Sequence, residues 1–116
     1  MTIKEFKDKF LNIKDQVGKQ LLKNTKRKRR DGSKYNAIRE YGILMVKIDD
    51  LSRILEENDI NNVESSILDK INKIFLTNED DESFINKLLD LLDCLPQSAH
   101  SFDDLDQALS LYIKTE

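Results

Sequence analysis

Apolar side chains recur at steps of three and four residues along most of the chain, and this spacing limits the folds that the sequence can adopt. It is typical of amphipathic helices, in which one face repeats every 3.6 residues and packs against the rest of the protein. No segment of useful length shows the two-residue alternation of a half-buried β-strand. The spacing therefore predicts an all-α protein, and it is clearest in the first segment, at Ile3, Phe6, Phe10, Ile13, Val17 and Leu21.

Capping and breaking residues mark where several of the helices begin and end. Thr2 and Glu5 have the spacing of a capping box, in which each side chain bonds the other's backbone N–H, so the first helix begins there. Ser101 and Asp104 repeat this spacing with Asp in place of Glu, and they open the last helix. Pro96, which cannot continue a helix, ends the fourth.

The second helix is predicted over 34–57. It is apolar on more than one side, which is typical of a central helix or of one that contacts another subunit. Gly18 and Gly42 are equally far along the chain from Arg30, so we expect a close crossing of the first two helices at their level. The third helix should begin at a cap on Asn61 or Asn62.

A chain of 116 residues has the size of one domain that buries a core without disulfides. Its one cysteine, Cys94, excludes an internal disulfide and favours a reducing setting, so we expect a cytoplasmic protein, or a nuclear one if the source cell has a nucleus. No apolar run is long enough to span a membrane. We therefore expect a single helical domain over 1–116, folded as an antiparallel bundle of four long helices and a short C-terminal one.

The net charge of −3 conceals an uneven distribution of charge along the chain. Residues 1–58 carry a net charge of +6, whereas residues 59–116 carry −9. Such a split indicates either that the two halves attract each other in the fold or that they face different partners. It is the main indication of function in the sequence.

Five consecutive cations, from Lys26 to Arg30, form the strongest local concentration of charge. They fall where the first helix should end, and the turn residues Asp31 and Gly32 follow them. Cations in the last turn of a helix are favoured by its dipole, but that effect ends with the turn and does not account for five in succession. We therefore expect a basic hairpin tip at 24–33.

This tip predicts contact with a nucleic-acid backbone, because a dense group of cations binds phosphates whatever the base sequence. Backbone N–H groups at the start of the second helix would hold one phosphate, and a nearby tyrosine would stack on a base of a single strand. The competing interpretation is a solvated loop or a short basic address signal. The candidate residues are Lys23, Lys26, Arg27, Lys28, Arg29, Arg30, Ser33, Lys34 and Tyr35.

The acidic half supports a second hypothesis, that of an inhibitor or immunity-type protein that captures a basic protein. Complementary charge would speed such an association more than it would strengthen it. The competing interpretation is that acids at helix starts are caps and that the others maintain solubility. The candidate residues are Glu79, Asp80, Asp81, Glu82, Asp90 and Asp93.

A third hypothesis is a structural assembly subunit without nucleic-acid contact. The two-sided second helix would then use exposed apolar residues to bind a protein partner or a second copy of the chain. The alternative is that the later helices cover the second helix on both sides. The residues concerned are Ile43, Val46, Ile54 and Leu111.

Catalysis has little support in the sequence. His100 is the only histidine and Cys94 the only cysteine, so the chain has neither the ligands of a typical zinc site nor a motif around a nucleophile. The acidic loop expected at 77–83 also lacks the central glycine and the spacing of a calcium-binding loop. We therefore expect a non-enzymatic accessory protein with no cofactor, metal ion or small-molecule substrate, which contacts nucleic acid through the basic tip and docks on a protein partner.

Overall fold

The structure is a computed structural model that describes residues 1–26 and 34–115, with side chains described for 1–19 and 42–114. This part of the chain is helical and contains no β-strand, so the predicted all-α class is confirmed. A 3-10 turn, Ile60–Asn62, separates the second helix from the third. The helices are α1 (Ile3–Lys26), α2 (Lys34–Glu57), α3 (Ser65–Ile74), α4 (Asp81–Cys94) and α5 (Phe102–Thr115).

The helix lengths differ from the predicted ones in the C-terminal half. α1 and α2 have 24 residues each, whereas α3 has 10 and both α4 and α5 have 14. The prediction of four long helices and a short C-terminal one is therefore wrong, because α5 is as long as α4 and α3 is the shortest. The core supports the length of α5, since its buried residues extend from Leu105 to Tyr112.

Both predicted capping boxes supply caps. Thr2 Oγ1 accepts a hydrogen bond of 3.1 Å from the N–H of Glu5 at the start of α1. Before α5, Ser101 Oγ accepts from the Asp104 N–H at 3.4 Å, and Asp104 Oδ2 accepts from the Ser101 N–H at 3.3 Å. These bonds satisfy N–H groups that have no partner within the first turn of a helix.

The start of α3 differs from the prediction because Asp59 organises the junction before it. Its carboxylate accepts from the Asn61 N–H and from the Asn62 side-chain amide, both at 2.9 Å. The two asparagines therefore belong to the 3-10 turn, of which Asp59 is the cap. The helix begins later, after Glu64, so neither Asn61 nor Asn62 caps it.

Three aromatic rings from different parts of the chain meet in the core. Phe6 in α1, Phe75 directly after α3, and Phe84 in α4 have ring centroids 4.9 to 5.8 Å apart, with interplanar angles of 45° to 58°. All three side chains are at most 1% exposed. Tilted aromatic pairs of this kind contribute about 0.5–1.5 kcal/mol beyond the burial of their area. This aromatic cluster holds α1 against the α3–α4 connection.

α2 packs against α1, α4 and α5. Its C-terminal half is buried on more than one side, since Ile48, Leu51 and Ile54 are at most 1% exposed. The expectation that Ile54 belongs to an exposed apolar surface is therefore wrong, because the surrounding helices cover it. α5 also packs against α3 and α4.

None of the described helices combines the length and the apolar character needed to cross a membrane.

The expected close helix crossing at Gly18 and Gly42 is not found in the described part of the chain. A Cβ atom added at either glycine would meet no atom of the described residues within 4 Å. Both residues lie inside helices, and Gly42 is exposed. Packing therefore requires a glycine at neither position.

Replacing Gly42 with Ala should stabilise the protein by about 0.5–1 kcal/mol, because alanine is the better helix former and its methyl group meets no neighbour. Urea denaturation followed by circular dichroism measures the change in the free energy of unfolding. A loss of stability in G42A would mean that this face of α2 is covered after all. The companion variant G18A should behave in the same way.

Candidate functional site

The basic run begins at Lys26, the last residue of α1, and precedes α2, which begins at Lys34. Part of the predicted tip at 24–33 lies outside the described residues, and so do the candidates Arg27, Lys28, Arg29, Arg30 and Ser33. Four other candidates lie in described helical backbone, but their side chains are outside the described part: Lys23, Lys26, Lys34 and Tyr35. Their roles stay predictions.

The cations whose side chains are described fall into two groups. Five have partners: Lys9 at the Glu79 carbonyl, Lys47 at the Asp93 carbonyl, Arg53 at Asp50, Lys70 at Asp106, and Lys87 at Glu79. The other six make no hydrogen bond or ion pair with described residues: Lys4, Lys7, Lys14, Lys19, Lys73 and Lys114. Four of these six lie on α1, the helix that leads into the basic run.

Among the acidic candidates, Glu79 is held inside the fold. Its side chain is 2% exposed. The carboxylate accepts hydrogen bonds from the Leu76 N–H at 2.9 Å, from Ser83 Oγ at 3.3 Å and from Lys87 Nζ at 3.0 Å. These donors compensate the cost of burying the charge. Glu79 therefore stabilises the connection between α3 and α4, and its charge is almost inaccessible to a partner.

The other acidic candidates lie at the surface. Asp80 caps α4, since its Oδ1 accepts from the Ser83 N–H at 2.7 Å. Asp81 and Glu82 occupy the exposed first turn of the same helix, where its dipole favours negative charge. Asp90 and Asp93 are exposed further along α4.

An open, shallow groove of about 310 Å³ lies on the outer face of α4. Its one ammonium group, that of Lys87, is paired with Glu79, so the remaining charge of the lining is negative. Such a groove suits a cationic side chain. Its lining residues are Asp80, Glu82, Ser83, Asn86, Lys87 and Asp90.

The end of α4 brings Asp93 and Cys94 close to Lys47 of α2. Although Asp93 is exposed, partial desolvation by its neighbours raises its pKa, while Lys47 lowers the pKa to a smaller extent. Lys47 Nζ also donates to the Asp93 carbonyl at 3.2 Å. Burial and the neighbouring Asp93 charge raise the pKa of the Cys94 thiol. A thiol with a raised pKa is mostly protonated at neutral pH and is a poor nucleophile.

His100 lies in the connection between α4 and α5. Its side chain is 78% exposed, and its Nδ1 lies 3.1 Å from the Ser98 carbonyl. Among the described residues no hydrogen bond joins His100 to Cys94. The same part of the chain contains no group of three or more His, Cys, Asp or Glu side chains that could hold a metal ion.

One buried polar group was not singled out by the sequence pattern. The Asp50 side chain is 4% exposed, and its Oδ1 lies 3.8 Å from Arg53 Nη1. Its other oxygen, Oδ2, is buried and has no hydrogen-bond partner among the described residues, and the same holds for the hydroxyl of Ser52. An acid one turn before an arginine is also common on exposed helix faces, so the spacing does not reveal the burial.

No protein-family model, curated protein or solved structure matches the chain.

Replacing Glu79 with Ala should lower the free energy of unfolding by about 1–3 kcal/mol, because the Leu76 N–H and the Lys87 ammonium lose their acceptor. Chemical denaturation measures the loss. Glu82→Ala removes an equal charge from an exposed position nearby and should change stability by less than about 0.5 kcal/mol. Equal effects in the two variants would contradict the structural role of Glu79.

The carboxylate of Asp104 should make stability depend on pH. Hydrogen bonds from the His100 N–H and from Ser101 lower the pKa of Asp104 in the folded protein, although desolvation opposes them. Its ionised form therefore stabilises the fold above the unfolded pKa of about 3.9, and this contribution is lost as the pH falls through the folded pKa.

Asp104→Asn should consequently be less stable than the wild-type protein at pH 7, and the difference should begin to shrink as the pH falls below about 3.9. Denaturant titrations at pH 7, 5 and 3 measure it. A difference that stays constant across this range would show that geometry, and not charge, is responsible.

Proposed function

We propose that this protein is a non-catalytic helical accessory protein that contacts a nucleic-acid phosphate backbone through residues 26–30 and docks on a protein partner with another surface. The observation that carries the proposal is the run of five cations that begins with the last residue of α1 and precedes α2, two helices of 24 residues each. Polyanion binding depends mainly on such a density of charge, because each neutralised phosphate releases counterions.

The short length of the connection between α1 and α2 supports a position of the basic run at one end of the molecule. Seven residues join α1 to α2, so eight Cα–Cα steps separate Lys26 from Lys34 and span at most about 26–29 Å. A helix of 24 residues is about 36 Å long, so this connection is too short for parallel packing of the two helices along their full length. We therefore propose an antiparallel hairpin with the run at its tip, within the bundle arrangement expected from the sequence.

Other surfaces are available for a protein partner or a second copy of the chain. Val46, Leu76 and Leu111 are 49% to 60% exposed, although they are large apolar residues. Contact with a partner would remove them from water, which is favourable. They also favour the third hypothesis, a structural assembly subunit without nucleic-acid contact.

Titration of labelled single-stranded RNA, single-stranded DNA and duplex DNA, followed by fluorescence anisotropy, tests the nucleic-acid part. We expect binding that falls steeply with salt and does not depend on base sequence. Replacing Lys28, Arg29 and Arg30 with Gln should weaken binding at least tenfold at 100 mM salt and reduce the slope of the salt dependence by about three.

A charge-matched control replaces Lys4, Lys73 and Lys114, which are exposed and distant in sequence from the run. This control should retain most of the affinity, because it lowers the net charge equally without changing the tip. Equal losses in the two triple variants would overturn the assignment to residues 26–30.

The second candidate function, capture of a basic protein, is favoured by the acidic groove on α4. Its surface comes from Asp80, Asp81, Glu82, Asp90 and Asp93, whereas Glu79 is nearly inaccessible. The same titration discriminates between the two functions. If the wild-type protein bound none of the nucleic acids even at low salt, capture of a basic protein would become the leading candidate function. Binding of a labelled lysine-rich peptide would then be measured.

A further inference from the structure

Leu76 is the most exposed large apolar side chain in the described part of the chain. It is 60% exposed, although Phe75 directly before it is buried in the aromatic cluster. A single exposed leucine is common on protein surfaces and indicates nothing by itself. Leu76 differs from such a residue because its backbone is fixed and a charged groove adjoins it.

The turn after α3 holds the backbone of Leu76 in one position. The Leu76 N–H donates to Glu79 Oε1 at 2.9 Å, and the Leu76 carbonyl accepts from the Glu79 N–H at 3.3 Å. Glu79 is fixed in its turn, because its carboxylate also accepts from Ser83 Oγ and from Lys87 Nζ. An apolar anchor on a backbone that is ordered before binding loses little conformational entropy when a partner covers it.

The carboxylate of Glu79 also joins Leu76 to the groove on α4. The Leu76 N–H and Lys87 Nζ bond the same oxygen, Glu79 Oε1, and Lys87 lines the groove. The groove therefore begins beside Leu76. Glu82 and Asp90 of its lining make no hydrogen bond or ion pair with described residues, so their charges are available to a partner.

The acids of the groove have a spacing that a second helix can match. Glu82 and Asp90 are eight residues apart on α4, which corresponds to about 12 Å along its axis, and Asn86 lies midway between them. Cations two turns apart on a helix that lies along α4 would have the same separation.

Two cations outside the groove lie near Leu76. Lys9 is engaged with the Glu79 carbonyl and the Phe84 ring, and Lys73 is exposed on the last turn of α3. The negative part of the surface is therefore restricted to the α4 side of Leu76.

We propose that Leu76 and the groove on α4 form one docking surface for a basic amphipathic helix of a partner protein. The apolar side of that helix covers Leu76, and its Lys or Arg side chains enter the groove between Glu82 and Asp90. This inference rests on the docking part of the proposed function, which it deepens by naming the surface and the chemistry of the partner. It goes beyond capture of a basic protein by charge, because it requires an apolar contact as well.

Two labelled synthetic peptides test the surface by fluorescence anisotropy. One is a helix-forming peptide with leucines on one face and lysines on the other, and the second has glutamine in place of every leucine. Wild-type protein should bind the first about tenfold more tightly. Leu76→Gln should remove most of this preference. Leu111→Gln, the same change at a 49% exposed leucine of α5, should retain it.

A pair of double variants tests the groove. Glu82→Gln with Asp90→Asn should weaken binding of the leucine–lysine peptide about tenfold at 50 mM salt and much less at 500 mM, because salt screens the contact. The matched control is Glu56→Gln with Asp69→Asn, which removes exposed acids of α2 and α3. This control should retain the wild-type affinity at both salt concentrations.

The docking surface is overturned if each variant behaves like its control, if the two peptides bind equally, or if neither peptide binds. Analytical ultracentrifugation covers the remaining occupant: a dimer that becomes monomeric in Leu76→Gln would assign the surface to a second copy of the chain and would also overturn the proposal. Failure of the nucleic-acid part is seen separately, because the triple variant of Lys28, Arg29 and Arg30 should retain peptide binding.

Discussion

The contact among Phe6, Phe75 and Phe84 is the interaction on which the arrangement of the helices depends. These rings come from α1, from the residue after α3, and from α4, so one cluster joins the N-terminal helix to the α3–α4 region. Polar contacts beside it complete the closure. Lys9 lies over the Phe84 ring with its Nζ 4.9 Å from the centroid and donates to the Glu79 carbonyl, while Glu79 itself pairs with Lys87. The loop that carries Glu79 is therefore attached to the core by Lys9, which also covers the core ring of Phe84.

These contacts affect how the uneven distribution of charge between residues 1–58 and 59–116 is interpreted. Several acids of the second half have structural tasks, because Glu79 is buried, Asp80 caps α4, and Asp106 pairs with Lys70. Asp104 accepts hydrogen bonds from the His100 and Ser101 N–H groups before α5. The unpaired lysines of α1 have no comparable task in the described fold. The phosphate contact is placed first because the run from Lys26 to Arg30 is the densest local group of charges in the sequence.

Local signals in the sequence predict the helix boundaries well. The bounds of α2 and the caps supplied by Thr2 and Ser101 depend on neighbours within a few residues, and such contacts can be inferred from spacing. Tertiary features are predicted poorly. The equal distances of Gly18 and Gly42 from Arg30 suggested a crossing that is absent, and the burial of Ile54 depends on helices far away in the sequence. Of the candidate site residues, spacing alone identified the exposed acids of α4 but could not reveal that Glu79 is enclosed.

The sequence by itself determined the all-α class, the division into helices and the position of the basic run, because periodicity, capping and charge density are properties of adjacent residues. Only the tertiary structure decided which charges are available. A lysine or carboxylate is paired within the fold when another helix brings a partner group within hydrogen-bond distance. Otherwise it is available to an external partner. Lys9 and Lys7, two residues apart on α1, differ for this reason: one reaches the Phe84 ring and a carbonyl oxygen, and the other has no partner among the described residues.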